Sequence, residues 1–434
     1  MKLFGTSGIR GIYGEEITEE LASKVGSALG EYVKEGLVVL GRDPRNSSPS
    51  LEKAAASGLA AKGIKIKSVG MVPTPAVAFA ARELKAKAGV MITASHNPAE
   101  YNGIKLWNSD SSAFEPEKER EIEKLVQKQS GNLESVPFDT INIIPKYTEA
   151  LKNSVQIEKK FKIVLDCGHG AACPVSPELL ADYGEVTELF CEADGDFPGR
   201  KPEPSGENLG ELKKKVLEVG ADIGIAHDGD ADRIGVVDET GTFVERDALL
   251  ALFAKNALQD KKGVVAVPID TSKMVEDVIE QNGGSVLMTR VGDVDVVAKL
   301  KEHKGVFGGE PSGCFIFPDV HLCPDGILGS LKILELLSKS GKKLSELVAE
   351  LPKYYTIRET ILCGKEELQE KVNSLSEKLK SLGGEVNEID GLRVDFEDSW
   401  ILVRASGTEP MVRITVEAKS KEKAEELLKT IQNF

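Results

Sequence analysis

No run in the 434-residue sequence approaches the ~18 consecutive apolar residues of a membrane span, so no membrane association is expected. The opening MKLFGTSGIRG has no apolar signal core either, and a cytoplasmic protein is expected. The six cysteines (Cys167, Cys173, Cys191, Cys314, Cys323, Cys363) are scattered and form no C-x-x-C pair. That argues against a disulfide framework and fits a reducing compartment. An excess of basic residues is also missing: 55 Lys and Arg against 70 Asp and Glu leave a formal charge of −15. That argues against a sequence-independent nucleic-acid binder, which needs a basic face. A phosphorylated small molecule is not excluded, because a few arginines make a local positive pocket on an acidic surface.

What is present is α/β alternation. Three segments, LVVLGRD (Leu37–Asp43), KIVLDCG (Lys162–Gly168) and VVAVPID (Val264–Asp270), are apolar strands that end in polar or glycine-rich residues. Further strands are predicted at IKIKSVG, AGVMITA, ADIGIA, RIGVVD and GSVLMTR, with amphipathic stretches such as Gly329–Gly341 between them. The alternation predicts largely parallel sheets in repeated α/β units. From about Tyr354 the pattern changes to strand, long charged helix, three strands and a final helix, a small α+β domain. The expected division is 1–150, 151–253, 254–352 and 353–434, and the pattern does not discriminate between monomer and dimer.

Four loops carry the chemistry. In AHDGDADRIG, Asp228, Asp230 and Asp232 alternate with the small Gly229 and Ala231 between two strands. Three short carboxylates can converge there, at a repulsive cost that a hard cation such as Mg²⁺ would offset. An EF-hand would place Glu239 at its twelfth position, but Arg233 stands where that loop needs glycine. In VRASGTEPMVR, Ser406, Gly407 and Thr408 can aim hydroxyls and N–H groups at an anion, with Arg404 and Arg413 supplying charge-assisted forks. FGGEPSGCFIF exposes Glu310 and Ser312 between glycines, groups suited to sugar hydroxyls. The fourth stretch, TASHNPAE (Thr93–Glu100), leaves a buried strand and displays Ser95 ahead of Pro98. A bare serine is a poor nucleophile and needs a base or a metal; His96 and Lys105 are near in sequence. No G-x-S-x-G elbow surrounds Ser95. DCGHGAAC reads as a packing turn, since Cys173 stands where a dinucleotide fingerprint needs its third small residue. His303 and His321 read as structural or exposed.

Together these segments resemble the α-D-phosphohexomutase family, which interconverts 1- and 6-phosphosugars. FGTSGIRG (Phe4–Gly11), TASHNP (Thr93–Pro98), DGDADR (Asp228–Arg233), GEPSG (Gly309–Gly313) and RASGTEP (Arg404–Pro410) look like its signatures, in order, over nearly the whole chain. The resemblance implies three related α/β domains and a C-terminal α+β domain around a central cleft. It implies that Ser95 is carried as phosphoserine and passes its phosphoryl group to the sugar through a bisphosphorylated intermediate. By the same resemblance, one Mg²⁺ per subunit sits on Ser95, Asp228, Asp230 and Asp232, with a hexose bisphosphate as activator. Arg10 and Arg233 help to balance charge, and His96 and Lys105 are candidates for proton transfer. Glu310 and Ser312 read the sugar ring, while Arg404, Ser406, Gly407, Thr408 and Arg413 hold the idle phosphate.

Within the family, the compact length, the FGTSGIRG opening and the VGD segment (Val291–Asp293) lean toward the branch acting on glucosamine phosphates. The mannose/glucose branch is the alternative. Pro311 stands where the first branch commonly has glutamine and the second methionine, and Cys314 and Val294 also depart from the usual residues. A metal-dependent sugar phosphatase using the same serine, and a non-catalytic phosphosugar binder, are the competing classes.

Overall fold

The computed structural model describes residues 3–5, 7–364, 366–405 and 411–432. The chain divides into two compact units, Met1–Glu245 with Ser312–Val348, and Arg246–Pro311 with Ala349–Phe434. None of the described helices is long and apolar enough to cross a membrane.

The first unit holds two sheets. One contains β1 (Ile9–Ile12), β2 (Leu37–Arg42), β3 (Lys65–Met71), β4 (Ala88–Ile92), β5 (Tyr101–Asn108) and β6 (Asp139–Thr140), in the order β1-β5-β4-β2-β3-β6. The other contains β7 (Phe161–Asp166), β8 (Gly184–Leu189), β9 (Ile223–His227) and β10 (Ile234–Asp238), ordered β10-β9-β7-β8. In the second unit β11 (Val264–Pro268) lies parallel to β12 (Ser285–Thr289) and β13 (Phe307–Gly309). The three strands that shared a sequence pattern, β2, β7 and β11, occupy the same place: each is flanked on both sides by parallel strands. The repeat expected from pattern is therefore a repeat of topology.

The sheets are not wholly parallel. β4 turns back into antiparallel β5, and β9 into antiparallel β10. β4, β9 and β10 are buried along their whole length, which is why their sequences are near-continuous apolar runs rather than alternating ones. Each hairpin loop leaves from the carboxyl end of a parallel strand, the end at which open α/β sheets place their ligands.

The first unit also includes β14 (Phe315–Ile316) and the helix Gly326–Ser340, whose N-cap Asp325 accepts from Leu328 N–H at 2.8 Å. The helices Glu19–Val33 and Ser48–Ala60 cross closely because Gly26 and Gly58 carry no side chain; a Cβ on Gly58 would lie 2.0 Å from the Ser23 carbonyl.

In the second unit the chain ends in an antiparallel sheet of β15 (Tyr355–Leu362), β16 (Glu385–Asn387), β17 (Leu392–Asp395), β18 (Ser399–Ala405) and β19 (Met411–Ala418), ordered β15-β19-β18-β17-β16. Helices Leu368–Ser381 and Lys421–Gln432 complete it. The sequence pattern foresaw these elements except the three-residue β16, whose Glu-Val-Asn has no apolar alternation to read. Buried Arg393 joins this sheet to the segment after β11: it donates to the carbonyls of Ile269 (2.8 Å) and Thr271 (3.3 Å), pairs with Glu276 (2.5 Å) and Asp395 (2.7 Å), and stacks on Trp400.

Candidate active site

The β4–β5 and β9–β10 loops meet in the first unit. Ser95 is 1% exposed, and its hydroxyl donates to Asp228 Oδ2 at 2.7 Å. His96 Nδ1 lies 3.4 Å from Ser95 Oγ. Ser95 adopts φ +52°, in the left-handed region that costs a non-glycine residue about 1 kcal/mol or more. Its surroundings hold it there. Ser95 N–H donates to Thr93 Oγ1 at 2.8 Å, and Thr93 Oγ1 donates to Asp43 Oδ2 at 2.8 Å.

The principal support is Arg45, which sequence reasoning missed. It is fully buried and uses all five of its N–H groups. They go to Asp43 Oδ2 (2.9 Å) and to the carbonyls of Ser95 (2.9 Å), Asn97 (2.7 Å), Tyr101 (3.0 Å) and Pro98. Its guanidinium also lies over the Phe197 ring. Nothing in GRDPRN distinguishes this arginine from a solvated one after a turn.

Asp228, Asp230 and Asp232 are buried, and each offers a carboxylate oxygen within 4.8 Å of the others. The loop is fixed by main-chain bonds from three directions: Thr74 N–H to Asp230 O (2.9 Å), Ala171 N–H to Gly229 O (2.9 Å) and Gly326 N–H to Ala231 O (3.1 Å). The DCGHGAAC turn thus does pack, against the acidic loop. Gly229 is required by close approach, since a Cβ there would stand 2.4 Å from the Ser95 carbonyl. Gly229→Ala is expected to destabilise the first unit by about 1–3 kcal/mol through overpacking, read as a lower urea midpoint at unchanged slope.

Lys105 Nζ bridges Asp230 Oδ2 (2.8 Å) and Asp232 Oδ2 (2.6 Å). Burial alone would lower this ammonium, but the two carboxylates outweigh it and hold it above the ordinary lysine range. As held, Lys105 is an ammonium tied to both carboxylates. Burial pushes Asp228 well up, with Asp232 and Asp230 adding repulsion. For Asp230 burial acts in the same direction, but Lys105 prevails and the carboxyl falls below the usual range. Asp230 Oδ1 and Asp232 Oδ1 are buried without a hydrogen bond. Two orphaned oxygens, the Asp228 carboxyl and a serine hydroxyl form an oxygen donor set that fits a hard divalent cation.

Arg233 donates to Glu203 at 3.0 Å, and Glu203 also lies 3.8 Å from His96 Nδ1. Burial would lower Arg233, but Cys314, Glu203 and the aspartates together raise it. Arg10 donates to Asn97 Oδ1 (3.2 Å) and Ser7 Oγ (3.1 Å), and burial lowers its otherwise very high value. Burial, then Arg233 and Arg10, pushes the His96 imidazole far below its ordinary 6.5, so it stays neutral.

The four domains of one family match in order: phosphoglucomutase/phosphomannomutase domain I at residues 1–132, domain II at 145–241, domain III at 245–355 and the C-terminal domain at 345–433. The chain belongs to the phosphoglucomutase/phosphomannomutase family. Its members include a probable phosphoglucosamine mutase from Methanosarcina acetivorans, 47% identical over 99% of both chains. Another from Pyrococcus horikoshii is 45% identical over 100% of this chain and 97% of its own length. A family protein from Burkholderia thailandensis superposes with TM-score 0.90 at 30% identity, covering 100% of this chain and 96% of that one. The Aspergillus fumigatus N-acetylphosphoglucosamine mutase, solved with GlcNAc-6P and magnesium, shares the fold (TM-score 0.61, 17% identity, 100% and 95% coverage). Membership makes the chain a phosphohexomutase, an isomerase that works by phosphoryl transfer.

The family's remaining motifs divide between the units. Ser312 belongs to the first, where the following Gly313 carbonyl accepts from Ile234 N–H at 3.2 Å, beside the acidic loop. Glu310 belongs to the second, buried, with Oε1 accepting from Gly292 N–H at 2.8 Å, so the GEPSG and VGD segments touch. In that unit Arg404 pairs with Asp390 at 3.3 Å and faces Arg413 across the β18–β19 ladder. Ser406, Gly407 and Thr408 lie outside the described residues. His321 is buried against Asp325 at 2.8 Å, and His303 is exposed beside Glu302.

Proposed function

We propose that the protein is a phosphoglucosamine mutase, interconverting glucosamine 6-phosphate and glucosamine 1-phosphate through a phosphoserine at Ser95. The observation that carries the reaction is the buried Ser95 hydroxyl on Asp228, in a carboxylate cluster with orphaned oxygens. The amino-sugar substrate is carried by relatives 44–48% identical over nearly their full length that bear that name.

In this reading the phosphoryl group on Ser95 Oγ passes to the free hydroxyl of a bound monophosphate. The serine proton balance closes when the bisphosphate, having turned over, returns its other phosphoryl group to Ser95. Asp228, Asp230 and Asp232 would hold Mg²⁺, which when bound neutralises charge on the phosphoryl oxygens. Arg10 and Arg233 add fixed positive charge beside a group that carries roughly −1.5 to −2. His96 and Lys105 are the candidates for proton transfer at the attacking or leaving oxygen. Glu310 and Ser312 would read ring hydroxyls, and Arg404, the 406–408 segment and Arg413 the idle phosphate. The working division is 1–150 for the serine loop, 151–253 for the metal loop, 254–352 for the sugar loop and 353–434 for the phosphate loop. A trace of hexose bisphosphate would load the serine.

Comparing kcat/KM for glucosamine, mannose and glucose monophosphates, with Mg²⁺ and trace bisphosphate, tests the substrate. A preference for glucosamine phosphate of about tenfold or more, some 1.4 kcal/mol, is expected. Preference for mannose or glucose phosphate would overturn the substrate, and release of inorganic phosphate without isomer would overturn the mutase.

A further inference from the structure

We propose that Cys167 and Cys191 form a reversible disulfide site behind the acidic loop. Their sulfurs stand 2.9 Å apart. The two residues follow the adjacent parallel strands β7 and β8, where Asp166 is in register with Leu189. The ladder continues past the strand ends: Cys167 N–H donates to Leu189 O (3.1 Å) and His169 N–H to Phe190 O (2.8 Å). Neighbouring strands lie about 4.8 Å apart, so a one-residue diagonal stays within the roughly 4.4–6.8 Å that a disulfide spans between Cα atoms. Closing from 2.9 Å to a bond of about 2.05 Å moves the sulfurs by about 0.9 Å.

Cys173 also approaches Cys167, but the trio does not suit a metal. Thiolates bound at about 2.3 Å to a tetrahedral zinc sit about 3.8 Å from one another, well beyond the observed separation. A covalent bond is the closer geometry.

Cys191 is part-exposed, whereas Cys167 is wholly buried, so the first attack belongs to Cys191. With a peroxide as oxidant, the Cys191 sulfur takes one oxygen to become a sulfenic acid and releases water. The Cys167 sulfur then attacks that sulfur, losing its proton as the hydroxyl leaves as a second water. Two thiols and one hydrogen peroxide give one disulfide and two waters. The bond would close a loop between β7 and β8, and the Gly168–Ala171 turn that follows β7 reaches Gly229. The small movement leaves the acidic loop in place, so oxidation should stiffen the region and preserve catalysis.

The full chain is treated with hydrogen peroxide, then mapped by mass spectrometry after alkylation. The expected result is a loss of 2 Da, a Cys167–Cys191 linked peptide, reversal by dithiothreitol and absence of the link in Cys191→Ser. Cys173→Ser should still form it. At an inactivating temperature the oxidised enzyme should keep activity at least about twice as long as the reduced one. A link to Cys173, a gain of 16 or 32 Da on one cysteine, or no modification overturns the site. An unchanged or shorter lifetime overturns its stabilising role. The wild-type peptide map decides the pairing even if Cys191→Ser does not fold.

Discussion

Arg45→Ala is expected to cost about 3–5 kcal/mol of stability in the first unit and to depress kcat/KM by at least about 100-fold in whatever folds. The substitution leaves Asp43 as a buried carboxylate without its ion-pair partner. It also strips donors from four carbonyls of the serine loop, at Ser95, Asn97, Pro98 and Tyr101. Thr93, which accepts from Ser95 N–H, depends on the same Asp43. The left-handed backbone at Ser95 is then free to relax, and the hydroxyl leaves Asp228. Arg45→Lys keeps the charge but offers three donors in place of five, so an intermediate loss is expected. Urea denaturation separates the stability effect from kinetics measured well below the midpoint. A variant of near wild-type stability and activity would show that the loop holds itself.

Ser95→Ala should abolish mutase turnover, by about 10⁴-fold or more, while the protein stays folded. The expectation rests on the serine oxygen being the atom that bonds to the moving phosphoryl group, for which no neighbour substitutes. His96 is 3.4 Å from it and neutral, Lys105 is tied as an ammonium to Asp230 and Asp232, and the Thr74 hydroxyl is donated to Asp230. Alanine keeps the same backbone strain and removes one hydrogen bond, so the stability change stays within about 1–2 kcal/mol. Circular dichroism and the coupled assay on the same preparation check both halves. Residual turnover within tenfold of wild type would move the phosphoryl carrier elsewhere.

The chemistry was more legible in the sequence than the support for it. Asp228, Asp230 and Asp232 could be read as converging because alternation with Gly229 and Ala231 is a local property. β2, β7 and β11 could be read as equivalent because their burial on both faces writes a recognisable apolar run. Arg45 could not, because its five acceptors lie 2 to 56 positions away and no spacing rule reports such contacts. The same holds for Thr74, whose hydroxyl meets Asp230 at 2.6 Å across 156 positions, and for Glu203 beside Arg233. Lys105 was legible as a candidate for proton transfer, but its protonation is set by two distant carboxylates that the sequence does not place beside it. The scattered cysteines point away from a disulfide framework, yet two of them are brought together by strand register alone.

The measurement that bears most directly on the account is phosphoryl transfer at Ser95 itself. The enzyme would be incubated with Mg²⁺ and a hexose bisphosphate labelled in one phosphate, the Ser95 peptide analysed, and the loaded enzyme then mixed with unlabelled glucosamine 6-phosphate in a single turnover. The account predicts a gain of one phosphoryl group on Ser95 that passes to the sugar at least as fast as kcat. A phosphoryl group on another residue, or one discharged to water and not to sugar, would contradict it.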